Sequence, residues 1–321
     1  MAFFTIVTRQ THAGIQPCRP LAAKVAALRL TAQAVWCRGA SIRVHPRRPW
    51  QRAKVSSLLG ACNSKLVLNI MKNNLYCSVC NGACSLLDVV DFNKSCEELR
   101  GKFLGISGIP IYYAICGNCG FCFAPDVATW SLKEFEDKIY NDEYVLVDPD
   151  YIEIRPKTNA TNLISMFGDR AHFINHLDYG GGSGKLSDLL KKSNWQSVTY
   201  DPFVDKGIRI DRFGKFDLIT AFEVFEHVPD PRQLMSNLRS LLAPNGIVLF
   251  STLLSDGNIY SNQRINWWYA SPRNGHISLY SRNSLAILAQ NNQFNFGSFS
   301  EGFHAFFSTV PHWANHIITT G

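Results

Sequence analysis

Two pairs of cysteines, Cys77-Ser-Val-Cys80 and Cys116-Gly-Asn-Cys119, have the spacing at which the thiolates of a tight turn face a single metal ion. Gly82 and Gly120 follow the two steps closely enough to permit that turn. Four thiolates suit a closed tetrahedral centre, so Cys77, Cys80, Cys116 and Cys119 are read as ligands of a structural Zn2+. A redox or iron–sulfur role is the alternative, because an all-thiolate set does not name its metal. The 35 residues between the pairs must loop out. Cys122 makes a competing step with Cys119, and Cys84 and Cys96 are spare, which leaves a ligand exchange open. Four protein ligands leave no free position, so catalysis by this metal is not expected. Ten cysteines without a secretory signal point to a reducing compartment rather than a disulfide framework.

The second constellation is HLDYGGGSGKLSDLL, His176 to Leu190. It reads as the end of a buried strand, a glycine turn and a helix start, which bares backbone N–H groups to a closely approaching ligand. Two phosphate ligands fit poorly. A P-loop needs four residues between its first glycine and Gly-Lys, yet three separate Gly180 from Gly184, and Leu186 stands where Ser or Thr is required. The dinucleotide fingerprint wants a glycine where Lys185 stands. A nucleoside lacking phosphates remains, with a charged amino-acid end near Asp178, and S-adenosylmethionine is such a ligand. A tight turn without any ligand is the plainer reading, so the neighbouring acids matter. Asp201 ends the next apolar run 23 residues after Asp178, where a carboxylate can accept both hydroxyls of a ribose. FDLITAFEVFEHVPDP then gives a buried strand over residues 216–222, with Glu223, Glu226 and His227 just past its C-terminal end.

DYGGGSG, the strand end at Asp201 and EVFEHVPDP together resemble the class I S-adenosylmethionine-dependent methyltransferases. The likeness is to the branch whose fourth-strand motif reads E-V-L-E-H-V-x-D-P, with Phe225 here in place of Leu. It covers roughly residues 155–310, and the four-cysteine segment extends it to about residue 75 by similarity to bacterial enzymes acting on sugars and other small metabolites. The resemblance implies that Gly180, Gly182 and Gly184 line the cofactor, that Asp178 sits near its amino-acid moiety, that Asp201 binds its ribose and that Glu223 faces it. It implies an α/β fold: a Rossmann-like, seven-stranded, mostly parallel sheet with helices on both faces, preceded by a small zinc-ribbon-like module. Helices over 231–242 and 281–291, the strand GIVLFSTLL and a closing pair of strands in FNFGSFS and GFHAFFS agree with it.

The acceptor is less legible. The family's enzymes for base or glutamine nitrogens carry an Asn- or Asp-Pro-Pro-aromatic run where AFEVFEH stands here, which leaves oxygen, carbon or a small-molecule nitrogen. His227 can serve as general base with Glu226 beside it, its free pKa being near working pH; capping the following turn is the equal alternative. In INWWYASPRNGHISLYS, Trp267, Trp268 and Tyr269 read as an acceptor-side wall or as simple core, with packing favoured for at least one tryptophan, and His276 as a further site residue. His304 is a weaker candidate.

The net charge of +7 is unevenly placed. Residues 1–76 hold twelve Lys and Arg and no acid, so the remainder carries 20 basic against 25 acidic residues. Three segments are expected: a basic, poorly ordered leader (1–70), a cysteine-rich zinc-binding module with linker (71–150) and a methyltransferase domain (151–321). The leader reads first as a stretch preceding a natural start at Met71, then as an organelle transit segment, then as a nucleic-acid-binding arm. The acidic remainder argues against nucleic acid, no apolar run reaches the length of a membrane span, and cytoplasmic residence is expected unless the leader is a genuine transit segment. A small-molecule acceptor is thus expected, with no membrane. Oligomeric state is left open. The rival classes are a nucleic-acid or protein methyltransferase that binds its target through the cysteine module, and a scaffold that binds the cofactor without turnover.

Overall fold

The computed structural model describes residues 75–318. The basic leader and the alternative start at Met71 lie outside them. The described residues fall within one compact unit built on two sheets.

The larger sheet has the strand order β10-β11-β8-β7-β5-β6. Its strands are β5 (Asn175–Tyr179), β6 (Gln196–Tyr200), β7 (Phe216–Phe222), β8 (Leu242–Ser251), β10 (Asn295–Ser298) and β11 (Phe303–Phe307). β5 to β8 pair in parallel, whereas β11 and β10 close the edge antiparallel. Six strands stand among the described residues where seven were expected. The connection from β6 to β7 holds only turns and the short 3-10 stretch Ile210–Phe213, and Gly207 and Gly214, both at positive φ, interrupt any further run.

Alternation along the central strands explains the layering. Ile219, Ala221, Val248 and Phe250 face one core, completed by Leu234, Met235 and Leu238 of α5 (Pro231–Leu241) and Leu285 and Leu288 of α6 (Arg282–Asn291). Leu218, Ile247 and Leu249 face the opposite core, against Leu163 and Phe167 of α3 (Ile154–Phe167) and Leu186 and Leu190 of α4 (Lys185–Lys191). A period of two on the strands thus meets a helical stripe on each face. Asp230 starts α5 by accepting the Arg232 and Gln233 amides, and Ser281 starts α6 by accepting that of Ser284.

The smaller sheet is antiparallel throughout: β1 (Leu75–Tyr76), β2 (Ala83–Asp91), β3 (Pro110–Cys116), β4 (Cys122–Phe123) and β9 (Ser278–Leu279). Its last strand comes from the segment that follows the aromatic stretch Trp267–Tyr269. The first core also takes in Ala114, Cys116 and Phe123 and so joins the two sheets, while a third core packs Ile111, Tyr113 and Cys122 with Phe135 of α1 (Leu132–Lys138), with Tyr144 of the short α2 (Tyr144–Val147), and with Trp267 and Tyr269. Among the described residues no helix is long and apolar enough to cross a membrane.

Candidate active site and thiol cluster

Gly180, Gly182 and Gly184 all adopt positive φ, at +75°, +55° and +82°, a region in which a Cβ is strained. Gly181 is glycine for another reason: a Cβ there would lie 2.2 Å from Asp178 Oδ2 and 2.7 Å from Thr199 Cγ2. The Asp178 carboxylate therefore lies directly beneath the loop, 4% exposed, with Oδ1 accepting the Thr220 hydroxyl at 2.9 Å. Burial, reinforced by the charge of Asp201 and opposed by the Thr220 bond, raises its pKa to about 7. Asp201, at the end of β6, ties the loop from the other side: Oδ2 accepts the Gly182 amide at 3.0 Å and Oδ1 the Phe203 amide at 2.8 Å. The loop thus rests on two carboxylates, both expected from the sequence to meet a cofactor.

Glu223 follows β7 with φ +53°, a costly conformation for a side-chain-bearing residue. Ser251 holds it there, accepting the Glu223 amide at 2.8 Å and donating to Oε1 at 2.7 Å. Val224 is pressed against Gly180, where a Cβ would meet Val224 Cγ2 at 2.5 Å. The 3-10 turn Phe225–His227 then carries Glu226 and His227 into the third core, and His276 arrives from the far side beyond Gly275. The three side chains offer ligand atoms all within 4.8 Å of one another. Glu226 Oε1 accepts the Tyr269 hydroxyl at 2.6 Å, and His276 Nδ1 donates to the Tyr269 carbonyl at 2.8 Å. Burial pushes Glu226 up to about 8, with the charge of Glu223 adding to it.

The free-imidazole pKa that makes His227 attractive as a base is not kept in the fold. Burial lowers its pKa to about 4, the Arg155 charge lowers it further, and a loose polar contact with the Gly275 backbone opposes them weakly. That contact is no hydrogen bond, and Nδ1 is buried without a partner. His276 lies well below its ordinary value, chiefly through burial. Both rings are therefore neutral at pH 7. His304 sits apart, buried between the Thr252 carbonyl and the Ser298 hydroxyl on the β8–β11 edge.

The four cysteines of the two C-x-x-C steps also converge, their sulfurs within 4.8 Å of one another. Cys77 Sγ and Cys119 Sγ are 3.6 Å apart, Cys80 Sγ and Cys116 Sγ 3.4 Å. These are close to the ~3.8 Å edge of a tetrahedron with metal–sulfur bonds of about 2.3 Å. Amides of Val79 and Gly82 donate to Cys77 and Cys80, each at 3.4 Å, as they would to thiolates. A Cβ on Gly82 would crowd Asn118 and the sulfurs of Cys116 and Cys80. Without a cation the group resists ionisation: hydrogen bonds from Cys119 and Cys84 pull the Cys77 thiol down, and that anion, together with burial, pushes Cys119 and Cys84 up. The donor set fits a divalent soft or borderline metal. Cys122 belongs to the third core instead, and Cys84 borders the cluster.

A family model for a methyltransferase domain matches residues 132–297, just over half of the chain. The chain belongs to that family. Its curated relatives include ubiquinone biosynthesis O-methyltransferases of Histophilus somni (strain 2336), 42% identical over 19% of this chain and 25% of the relative, and of Pasteurella multocida (strain Pm70), 51% identical over 19% and 26%. The chain thus spans about a quarter of the length of these relatives. Among solved structures, the Burkholderia thailandensis 1,6-didemethyltoxoflavin-N1-methyltransferase is 15% identical over 58% of this chain and 93% of that one, with a TM-score of 0.37.

Several residues that shape this methyltransferase domain carry no local sequence signal. Tyr269 organises both Glu226 and His276. The Tyr140 ring lies tilted against Phe203 at 4.8 Å and edge-on to His227 at 6.1 Å, bridging the loop after Asp201 to the buried turn. Arg155 pairs with Asp148, with Nη1 donating to Oδ2 at 3.0 Å, and its charge reaches both histidines. Lys94 donates to the Trp267 and Ala270 carbonyls at 2.7 and 2.9 Å, pinning the aromatic segment to the smaller sheet. Lys94 reaches partners more than 100 residues away, and the others meet theirs through the packing of separate segments, which spacing rules do not reach.

Proposed function

We propose that this methyltransferase-family chain transfers a methyl group from S-adenosylmethionine to a small molecule, with a structural Zn2+ held by Cys77, Cys80, Cys116 and Cys119. The observation that carries the reading is the loop Gly180–Gly184 suspended between the carboxylates of Asp178 and Asp201, beside the strained Glu223. When bound, S-adenosylmethionine supplies an electrophilic sulfonium methyl. The chain's own residues do the rest. The glycines admit the ligand to the backbone, Asp178 presents negative charge to its ammonium, and the free lone pairs of Asp201 take its ribose hydroxyls. The smaller sheet, as a zinc-ribbon-like module, covers the acceptor side.

His227, neutral and half-buried, is placed to accept a proton from the acceptor, as a base weaker than a free imidazole. Glu226 and His276 surround it, and the third core keeps water out. Holding the partners at near-attack distance supplies several kcal/mol. The names of the curated relatives favour oxygen as acceptor atom over carbon or nitrogen. The excess of acid over base after residue 76 favours a metabolite, such as a sugar, over nucleic acid. Calorimetric titration of S-adenosylmethionine into the full chain tests the reading: one-to-one binding that is lost in Asp201→Ala supports it, and an acceptor screen of nucleotide sugars and phenols follows. No binding by folded wild-type protein sinks it.

A further inference from the structure

We infer that Glu226, His227 and His276 form a second metal centre, for one divalent transition-metal ion, distinct from the four-cysteine cluster. Three kinds of observation converge on it. The ligand atoms of the three side chains already lie within 4.8 Å of one another, so small side-chain movements bring them onto one ion. Two buried polar atoms in the group have no hydrogen bond: Oε2 of Glu226, a residue with no exposed surface whose neighbouring Thr252 hydroxyl is itself unpaired, and Nδ1 of His227. Native interiors rarely leave such atoms unpaired, and an ion between them would satisfy both.

The third observation is how the outer atoms are held. A carbonyl can only accept, so the 2.8 Å contact between His276 Nδ1 and Tyr269 O puts the proton on Nδ1 and leaves Nε2 with a bare lone pair. The Tyr269 hydroxyl meanwhile occupies Oε1 of Glu226 and leaves Oε2 free. One residue thereby orients two ligands through atoms that do not face the ion, the arrangement by which outer partners set metal-binding histidines and carboxylates. The backbone is clamped as well, with the Ile277 amide donating to the Glu226 carbonyl at 2.8 Å. Gly275 lets the His227 ring close in, because a Cβ there would stand 3.0 Å from Nδ1.

Two imidazoles and a carboxylate suit zinc, iron(II), cobalt or nickel rather than calcium or magnesium. Three protein ligands leave at least one position open, unlike the closed thiolate site. The turn that carries Glu226 and His227 follows Val224, which touches the glycine loop at Gly180, so the centre is joined to the methyl-transfer site through one residue. Resting on the proposed function, the ligand class for that position is an acceptor bearing a hydroxyl or enol oxygen, whose acidity the ion would raise, so that with the ion bound His227 serves as its ligand and not as the base.

The test is titration of the full-length, zinc-loaded protein with Co2+, followed by visible and near-ultraviolet absorption, for wild type, Glu226→Gln and His227→Asn. Thermal midpoints and thiolate-bound zinc report whether each variant is folded. The inference expects one equivalent of Co2+ bound by wild type with d–d bands and no thiolate charge-transfer absorption, and at least tenfold weaker binding in both variants. Absence of Co2+ binding, binding with a thiolate signature alone, or equal binding by wild type and folded variants overturns it. S-adenosylmethionine calorimetry on the same samples separates the two readings: cofactor binding without the cobalt signal defeats only the metal centre. The cobalt signal without cofactor binding leaves the centre standing and defeats the methyl-transfer reading.

Discussion

Asp178→Asn isolates the electrostatic role of the carboxylate beneath the loop. The carboxyl group has a pKa of about 7 in the folded chain, set mainly by burial and secondarily by Asp201. If the ammonium of S-adenosylmethionine requires the ionised form, affinity follows the ionised fraction. At pH 6 about one molecule in eleven is ionised, so binding should be roughly tenfold weaker than its plateau, and above pH 8 it should fall again as the ligand's own α-amino group loses its proton. Calorimetric dissociation constants from pH 5.5 to 8.5 should therefore pass through an optimum between about 7 and 8. Asp178→Asn should bind more weakly throughout and lose the acid limb.

Stability should move the opposite way. A carboxyl whose folded pKa exceeds its unfolded value contributes stability that is fully present below pH ~4 and is lost as pH rises through about 7. A difference of about three units corresponds to an upper bound of about 4 kcal/mol. The asparagine keeps an acceptor for the Thr220 hydroxyl and has no charge to bury, so the ligand-free variant should be more stable than wild type at pH 8 and not at pH 4. Denaturant midpoints at the two pH values measure this. A wild-type affinity that is flat from pH 5.5 to 7, or an Asp178→Asn variant less stable than wild type at pH 8, would refute the reasoning.

Gly181→Ala should cost at least about 1–3 kcal/mol and abolish cofactor binding, because its Cβ meets the Asp178 carboxylate at 2.2 Å; unchanged calorimetry would show that the loop has room to move. Lys94→Met should leave the Trp267 and Ala270 carbonyls short of a donor, at a cost of about 3 kcal/mol, read as a fall of roughly 5–10 °C in the thermal midpoint. With zinc at the cluster as proposed, a thiol-specific mercurial should release it in step with about four thiols, and Cys116→Ser should lower both zinc content and thermal midpoint; zinc that survives in a folded Cys116→Ser protein would count against the four-cysteine set.

What the sequence disclosed was chiefly local chemistry. Positive φ at Gly180, Gly182 and Gly184 follows from a strand that must turn at once into a helix, and the apolar alternation of β7 and β8 is a period that survives folding unchanged. Gly181 escaped because its constraint is the Asp178 carboxylate beneath it, a tertiary fact. The lowered His227 pKa is invisible in the sequence for the same reason, since desolvation in the fold outweighs the ring's intrinsic value. The strand count erred where Gly207 and Gly214 break up a connection. β9, two residues long, is below the length at which alternation can be read at all. Tyr269 looked like either wall or core; it is buried in the third core and also supports two site residues.

That short strand also bears on how the chain is made. β4 finds its outer neighbour in Ser278 and Leu279, more than 150 residues further along the chain. On a ribosome adding roughly 5–20 residues per second, the free edge of β4 waits for about 8 to 30 seconds before its partner emerges. During that interval the four thiols are already synthesised, while Ser281, whose hydroxyl donates to the Cys119 carbonyl, is not. Early capture of a metal by the nascent cysteine hairpins would hold the sheet in register until the end of the chain returns to close it.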